Sequence, residues 1–439
     1  MQHIPINPTI ILLAMLLLAG CNAAPAEPVA RQVQQADAAP DCESMLQELD
    51  RHIASVQVRL AMQPQSWPDH ELLANDHLLR ARLTGDYAAY GLAQQALEEA
   101  FQCAAPGCGP FLTRARLNFS MHRIDEVEAD LRMLESAAVP DATSLAEAAV
   151  LRADLALCHG EFRHARELFR EAATRSRTPQ LLGRMAQAEL DCGNPQAAAE
   201  LLDEALALAE NGKPLARAVL LLQRSELEQL SGRTEDALHS ACQADAVLPG
   251  WWQAEARLLA LQADAMDAES AVQRWSSLAT RSGQPEQLDA LARLLRQLGR
   301  DEEARRWIAL SSRIHMQRIS EFPEASYGHA LGHYLEFGED PQRVLQIART
   351  AYAARQDAAT SVGLAQALLA AGQPQVALQL LEQCFAAGLD NLPAHLLAMQ
   401  LYAEAGDQEA EALQRKAALR LNPQALTVDA EQLWHGHVH

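Results

Sequence analysis

The chain has 439 residues, a formal net charge of −21 at pH 7, 49 % hydrophobic residues and only 5 % aromatic ones. Such acidity argues against a nucleic-acid partner, because binding a phosphate backbone normally begins with a basic surface. Ala and Leu dominate the apolar share and no run of alternating β-branched residues argues for a sheet, while an array of helical repeats reaches this length without one large core.

At the N-terminus, the ten-residue apolar run 10–19 is too short for a comfortable membrane span and stands where the central region of a signal peptide belongs. It ends in Leu18, Ala19, Gly20 and Cys21, which resembles the bacterial lipobox, the signal for diacylation of the cysteine thiol and cleavage before it. The stretch before Ile10 carries no Lys or Arg. Residues 1–20 are therefore expected to be a lipoprotein signal peptide and Cys21 the lipidated residue. Asn22 is not the aspartate associated with inner-membrane retention, so the resemblance implies the outer membrane, on the periplasmic side of a Gram-negative cell. Residues 21–40, largely Ala, Pro and Gln, lack apolar periodicity and read as a flexible tether with a reach on the order of 25 Å.

Residues 41–145 read as divergent N-terminal helical repeats, as terminal repeats of an array expose one face and are atypical. A turn is expected at Thr84, Gly85 and Asp86, a seam at the Pro-, Gly- and Cys-rich stretch 103–110, and a second turn at His122, Arg123 and Ile124. Beyond Cys21 there are seven cysteines. In an oxidising compartment Cys42, Cys103 and Cys108 would offer one disulfide, and Cys158 with Cys192 another. Cys384 reads as a small buried hydrophobe.

From residue 146 to 425 one skeleton recurs: a glycine ends a helix, a small residue five positions on lets the next helix approach, and another small residue follows two turns later. It is seen as Gly160, Ala165, Ala172; Gly193, Ala198, Ala205; Gly232, Ala237, Ala244; Gly299, Ala304, Ser311; and Gly372, Ala377, Cys384. Gly338, Gly372 and Gly406 follow one another at 34 residues, the spacing of stacked helix pairs. This pattern resembles the tetratricopeptide repeat (TPR) family, which implies an all-α fold: a right-handed superhelical solenoid of antiparallel helix hairpins. Two intervals, Gly193 to Gly232 and Gly299 to Gly338, are 39 residues, so longer loops are expected there.

Catalytic signatures are missing from the sequence: there is no Gly-rich phosphate loop, GxSxG elbow or HExxH, and the chain is not expected to be an enzyme. His329, His333 and Glu336 stand four and three residues apart on one helical face, a candidate set for a divalent transition metal, and the tail 426–439 adds His435, His437 and His439. A metal-handling periplasmic protein is thus the alternative to the main reading, in which no cofactor is needed. The main reading is a membrane-anchored scaffold that binds other envelope proteins and touches the membrane only through its lipid. In the repeat register the inner curve would carry Asp154, Gln187, Asp191, Glu226, Gln229, Asp264, Arg293 and Arg296. That mostly acidic and amide face suits a basic or amide-rich partner segment.

Overall fold

The computed structural model describes residues 41–136 and 141–427, which lie within the unit Ala39–His439. The expected signal peptide, Cys21, the tether and His435, His437 and His439 lie outside the described residues. The described residues form a leading helix, α1 (Cys42–Met62), and ten antiparallel helix pairs. These are α2 and α3 (Trp67–Thr84, Tyr87–Cys103), α4 and α5 (Phe111–Ser120, Ile124–Glu135), α6 and α7 (Ala142–Cys158, Phe162–Arg175), α8 and α9 (Pro179–Asp191, Pro195–Leu208), and α10 and α11 (Pro214–Leu230, Thr234–Val247). There follow α12 and α13 (Trp252–Gln262, Ala268–Ser282), α14 and α15 (Pro285–Gln297, Asp301–Glu321), α16 and α17 (Pro323–Phe337, Pro341–Ala354), α18 and α19 (Ala358–Ala370, Pro374–Ala387), and α20 and α21 (Leu392–Ala405, Gln408–Leu421). No described helix is long and apolar enough to cross a membrane.

Local chemistry sets these boundaries. Proline opens α8, α9, α10, α14, α16, α17 and α19, where its missing N–H costs nothing and its fixed φ suits the first turn. Asp141 and Asp357 cap α6 and α18 by accepting from the amides of Ser144 and Thr360. The recurring small residues lie at the helix crossings: Ala165, Ala198, Ala237, Ala304 and Ala377 are fully buried, as are Ala205, Ala244 and Ser311. Large side chains such as Phe162, Phe169 and Trp251 fill the remaining space. Each contributes roughly 1.5–3 kcal/mol through burial.

The long intervals are resolved differently from the expected loops. Between Gly299 and Gly338 the extra residues lengthen α15 to 21 residues, against 14 in α7, α9, α11, α17, α19 and α21. The reason is local, since no Gly or Pro interrupts 301–321 and the helix propagates until Pro323. Between Gly193 and Gly232 the surplus is shared between a 17-residue α10 and the short connection before it. The seven cysteines among the described residues are free thiols: Cys158 and Cys192 belong to different core clusters, and Cys42 packs with Trp251 and Leu248.

The array winds far enough to meet itself. The end of each early hairpin's first helix meets the start of the first helix six hairpins later. Gln356 N–H, just before α18, donates to the carbonyl of Cys158 at the end of α6 (2.7 Å), and Asp390 N–H, just before α20, donates to the carbonyl of Asp191 at the end of α8 (2.8 Å). Each contact joins an orphan carbonyl at one helix C-terminus to an amide at another helix N-terminus, with the two helix dipoles head to tail. Side chains add to the seam: Gln284 bonds the carbonyl of Thr84 (3.1 Å), and Arg355 meets His122 (2.8 Å).

This seam gives the turn glycines a second duty. Gly193 and Gly372 have nearly identical backbone, φ +75° and +74°, but a Cβ on Gly193 would overlap the Asp390 carboxylate, whereas one on Gly372 would meet nothing among the described residues. Both alanine variants carry the left-handed strain, about 1 kcal/mol. Gly193→Ala alone also overpacks the seam, for roughly 1–3 kcal/mol more. The expected result is a clearly lower melting midpoint for Gly193→Ala than for Gly372→Ala, and equal losses would mean that the two turns of the solenoid do not touch at this point.

Candidate functional site

The residues expected on the inner face belong, apart from Asp264, to the first helices of successive hairpins. Asp154 on α6 is almost fully buried and ion-paired with Arg184 of α8 at 2.7 Å. Burial pushes its carboxyl up, and Arg184 opposes that shift. On α8, Gln187 Nε2 approaches Asp191 Oδ1 at 3.4 Å. Asp191 keeps some accessible surface, but protein surrounds it closely. Burial, followed by the charges of Asp357 and Glu226, pushes its carboxyl up to about 7. Glu226 on α10 is likewise raised by burial and drawn back by Arg257. That arginine, on α12, donates to Gln229 Oε1 (2.6 Å), Ser225 Oγ (2.9 Å) and the Ser225 carbonyl (2.8 Å).

Of the eight residues expected to line this face, Asp191 and Glu226 come within mutual electrostatic reach. Asp154 is neutralised by Arg184, and Gln229 is engaged by Arg257. Arg293 is locked to Glu336 by two hydrogen bonds (2.7 and 2.5 Å), and Arg296 lies over the ring of Phe337, 4.8 Å from its centre. Asp264 falls in a short 3-10 turn, Ala263–Ala265, and its side chain lies outside the description. Asp357 escaped the sequence reading. It caps α18, a role visible from its position before a helix, but it faces Asp191 only because the solenoid's second turn docks on its first.

The expected metal set is split three ways. His329 turns to Glu286 (3.5 Å), Glu336 to Arg293, and His333 to Asp289 (2.8 Å). Residues at i, i+4 and i+7 share a helix face, but on α16 that face is covered by several side chains of α14 and α15, each claiming a different partner. Burial would raise Glu286, yet the hydrogen bond and charge of His329 outweigh it and bring the carboxyl down to about 2.

Around His333 lies a cluster that no single helix could have revealed. His333 Nδ1 is 2.8 Å from Asp289 Oδ1 on α14, and its Nε2 is 2.8 Å from Ser312 Oγ on α15. Ser311 Oγ is 3.3 Å from His333 Nδ1. His315, one turn beyond Ser311, is 1 % exposed, with Nε2 3.7 Å from Asp289 Oδ2 and its ring 5.0 Å from that of His333. Burial would raise the Asp289 carboxyl, but the two imidazoles and Ser311 hold it below its usual range. The order Asp289, His333, Ser312 matches the hydrogen-bond chain that activates a nucleophilic serine, and Ser312 sits in mid-helix, where the nearby backbone amides bond within the helix.

No family model and no curated protein matches the chain. Among solved structures, a tetratricopeptide repeat protein from Parabacteroides merdae is similar at 17 % identity over 55 % of this chain and 93 % of its own, with a TM-score of 0.33. Cut9–Hcn1 of the APC/C hetero-tetramer is similar at 13 % identity over 87 % and 80 %, with a TM-score of 0.39. A Rap protein complexed with competence and sporulation factor is similar at 14 % identity over 72 % and 98 %, with a TM-score of 0.40. What makes the fold tetratricopeptide-like is the chain's own series of stacked antiparallel helix pairs.

Proposed function

We propose that this protein is a non-catalytic scaffold of the bacterial envelope, anchored to the outer membrane through acylated Cys21, whose inner face receives a basic or amide-rich segment of a partner protein. The observation that carries the binding reading is the state of the inner acids. Asp191 is held near its own point of half-ionisation by burial and by the neighbouring charges of Asp357 and Glu226. Negative charge is kept there at a cost, which a cationic segment would relieve; a site strained in the free protein binds such a ligand more strongly for that reason. Electrostatic attraction would also speed encounter and weaken with added salt.

The anchor rests on the four-residue match ending at Cys21 and on the preceding apolar run. Cys21→Ser removes the thiol that would be acylated, so the variant is expected to leave the outer-membrane fraction or to remain unprocessed. Unchanged fractionation would rule out the lipid anchor. The inner face is tested by binding a synthetic peptide rich in Arg, Lys and Gln. Asp191→Asn with Glu226→Gln should weaken it several-fold, and Glu235→Gln with Asp236→Asn, on exposed positions of α11, should not. Equal losses from the two pairs would move the binding surface elsewhere.

A further inference from the structure

We propose that Asp289, His315 and His333 form a binding site for a divalent transition metal of the zinc class, buried between α14, α15 and α16. One ligand atom from each of the three residues lies within 4.8 Å of the others, and all three residues are buried. Tetrahedral coordination at the usual zinc–nitrogen and zinc–oxygen lengths places neighbouring ligand atoms about 3.3 Å apart. His333 Nδ1 is 2.8 Å from Asp289 Oδ1 and His315 Nε2 is 3.7 Å from Asp289 Oδ2, on either side of that value, and three protein ligands leave the fourth position to a water.

The second observation is His315 itself. Neither of its ring nitrogens has a hydrogen-bond partner in the protein, although the side chain is 1 % exposed. A buried unpartnered polar group costs roughly 1–3 kcal/mol, and a metal bound through Nε2 would remove that penalty for one nitrogen. His333 is prepared in a complementary way. Its Nε2 contacts Ser312 Oγ at 2.8 Å, the outer hydrogen bond by which metal-binding histidines fix their orientation, which leaves Nδ1 directed at Asp289. Metal at Nδ1 would take the place of the contact with Asp289 Oδ1, with the ring proton carried on Nε2 toward Ser312 Oγ. The lengthened α15 contributes directly to the site. His315 is its fifteenth residue, one beyond where a 14-residue second helix would stop, so the extension carries this imidazole to the carboxylate.

The test uses the full chain, stripped with a chelator and titrated with Zn2+ against a chromophoric competitor, and with Co2+ for its tetrahedral absorption. Wild type is expected to take up one tight equivalent with a tetrahedral cobalt spectrum and to melt at a higher temperature when loaded. His315→Ala should weaken that equivalent roughly 100-fold or more and abolish the spectrum. His329→Ala and Glu336→Ala should leave both unchanged, which separates this site from the helix-face set, while the loss in His315→Ala separates it from any weaker uptake by the histidines at 435, 437 and 439. If His315→Ala does not fold, His315→Gln and Asp289→Asn provide the same comparison with less loss of volume. A wild-type chain with no tight equivalent, or one kept by the His315 variants, overturns the site; failure here leaves the binding of a basic segment to Asp191 and Glu226 untouched.

Discussion

Asp191→Asn is expected to stabilise the protein at pH 8 and to leave its stability nearly unchanged at pH 4. The folded-state carboxyl titrates at about 7, against 3.8 for the ordinary group. For an acid raised in this way the native state holds a proton that the unfolded chain has already lost, so stability falls as pH climbs from about 4 to about 7 and stays low above that. A shift of this size corresponds to at most about 4 kcal/mol, and the remaining water contact of Asp191 brings the expected gain from Asn to roughly 2 kcal/mol. Glu286 should behave in the opposite sense. Its folded pKa of about 2 lies below its ordinary 4.5, so its contribution is present at neutral pH and is lost as the pH falls through that interval. Melting midpoints of wild type and Asp191→Asn between pH 4 and 8 should therefore diverge with rising pH. A gap that stays constant, or closes, would show that Asp191 is not under the electrostatic load described.

Ala237→Arg should be more damaging still. Ala237 is fully buried at the crossing of α10 and α11, and its carbonyl accepts a hydrogen bond from Ser225 Oγ at 2.7 Å. An arginine there has no room and brings a buried unpaired charge. Overpacking costs roughly 1–3 kcal/mol and the stranded charge several more, so the hairpin is expected to open. In a stacked array each pair is stabilised by its neighbours, and the loss should reach α8, α9, α12 and α13. Hydrogen exchange resolved along the chain would show the spread. Protection lost only within α10 and α11, or not at all, would contradict the close packing assigned to this crossing.

The repeating hairpins were legible because their cause is local: a glycine at the turn and small residues at fixed offsets such as Ala198 and Ala205. What Gly193 does beyond its turn was not legible, because Asp390 lies almost 200 residues away and reaches it only through the pitch of the whole array. Asp357 was missed as a neighbour of Asp191 for the same reason. The set His329, His333 and Glu336 was drawn from the geometry of one helix, but helix α16 is shared among several neighbours, and the partners were decided by what those neighbours present. His315 on α15 and His333 on α16 gave no joint signal in the sequence, because only Asp289 of α14 brings the two imidazoles together. The uninterrupted stretch 301–321 could have warned that the surplus residues would extend a helix.

The most direct test of the central claim is calorimetric binding of the Arg-, Lys- and Gln-rich peptide at pH 7 in two buffers of different ionisation enthalpy. A cation placed beside Asp191, Glu226 and Asp357 should drive the partly protonated Asp191 to ionise, so the observed heats should differ between buffers by the enthalpy of a released fraction of a proton. That difference should shrink in Asp191→Asn, and the affinity should fall with added salt. Binding with no proton release, or with equal affinity in wild type and Asp191→Asn, would show that the peptide does not engage the inner acids and would contradict the account.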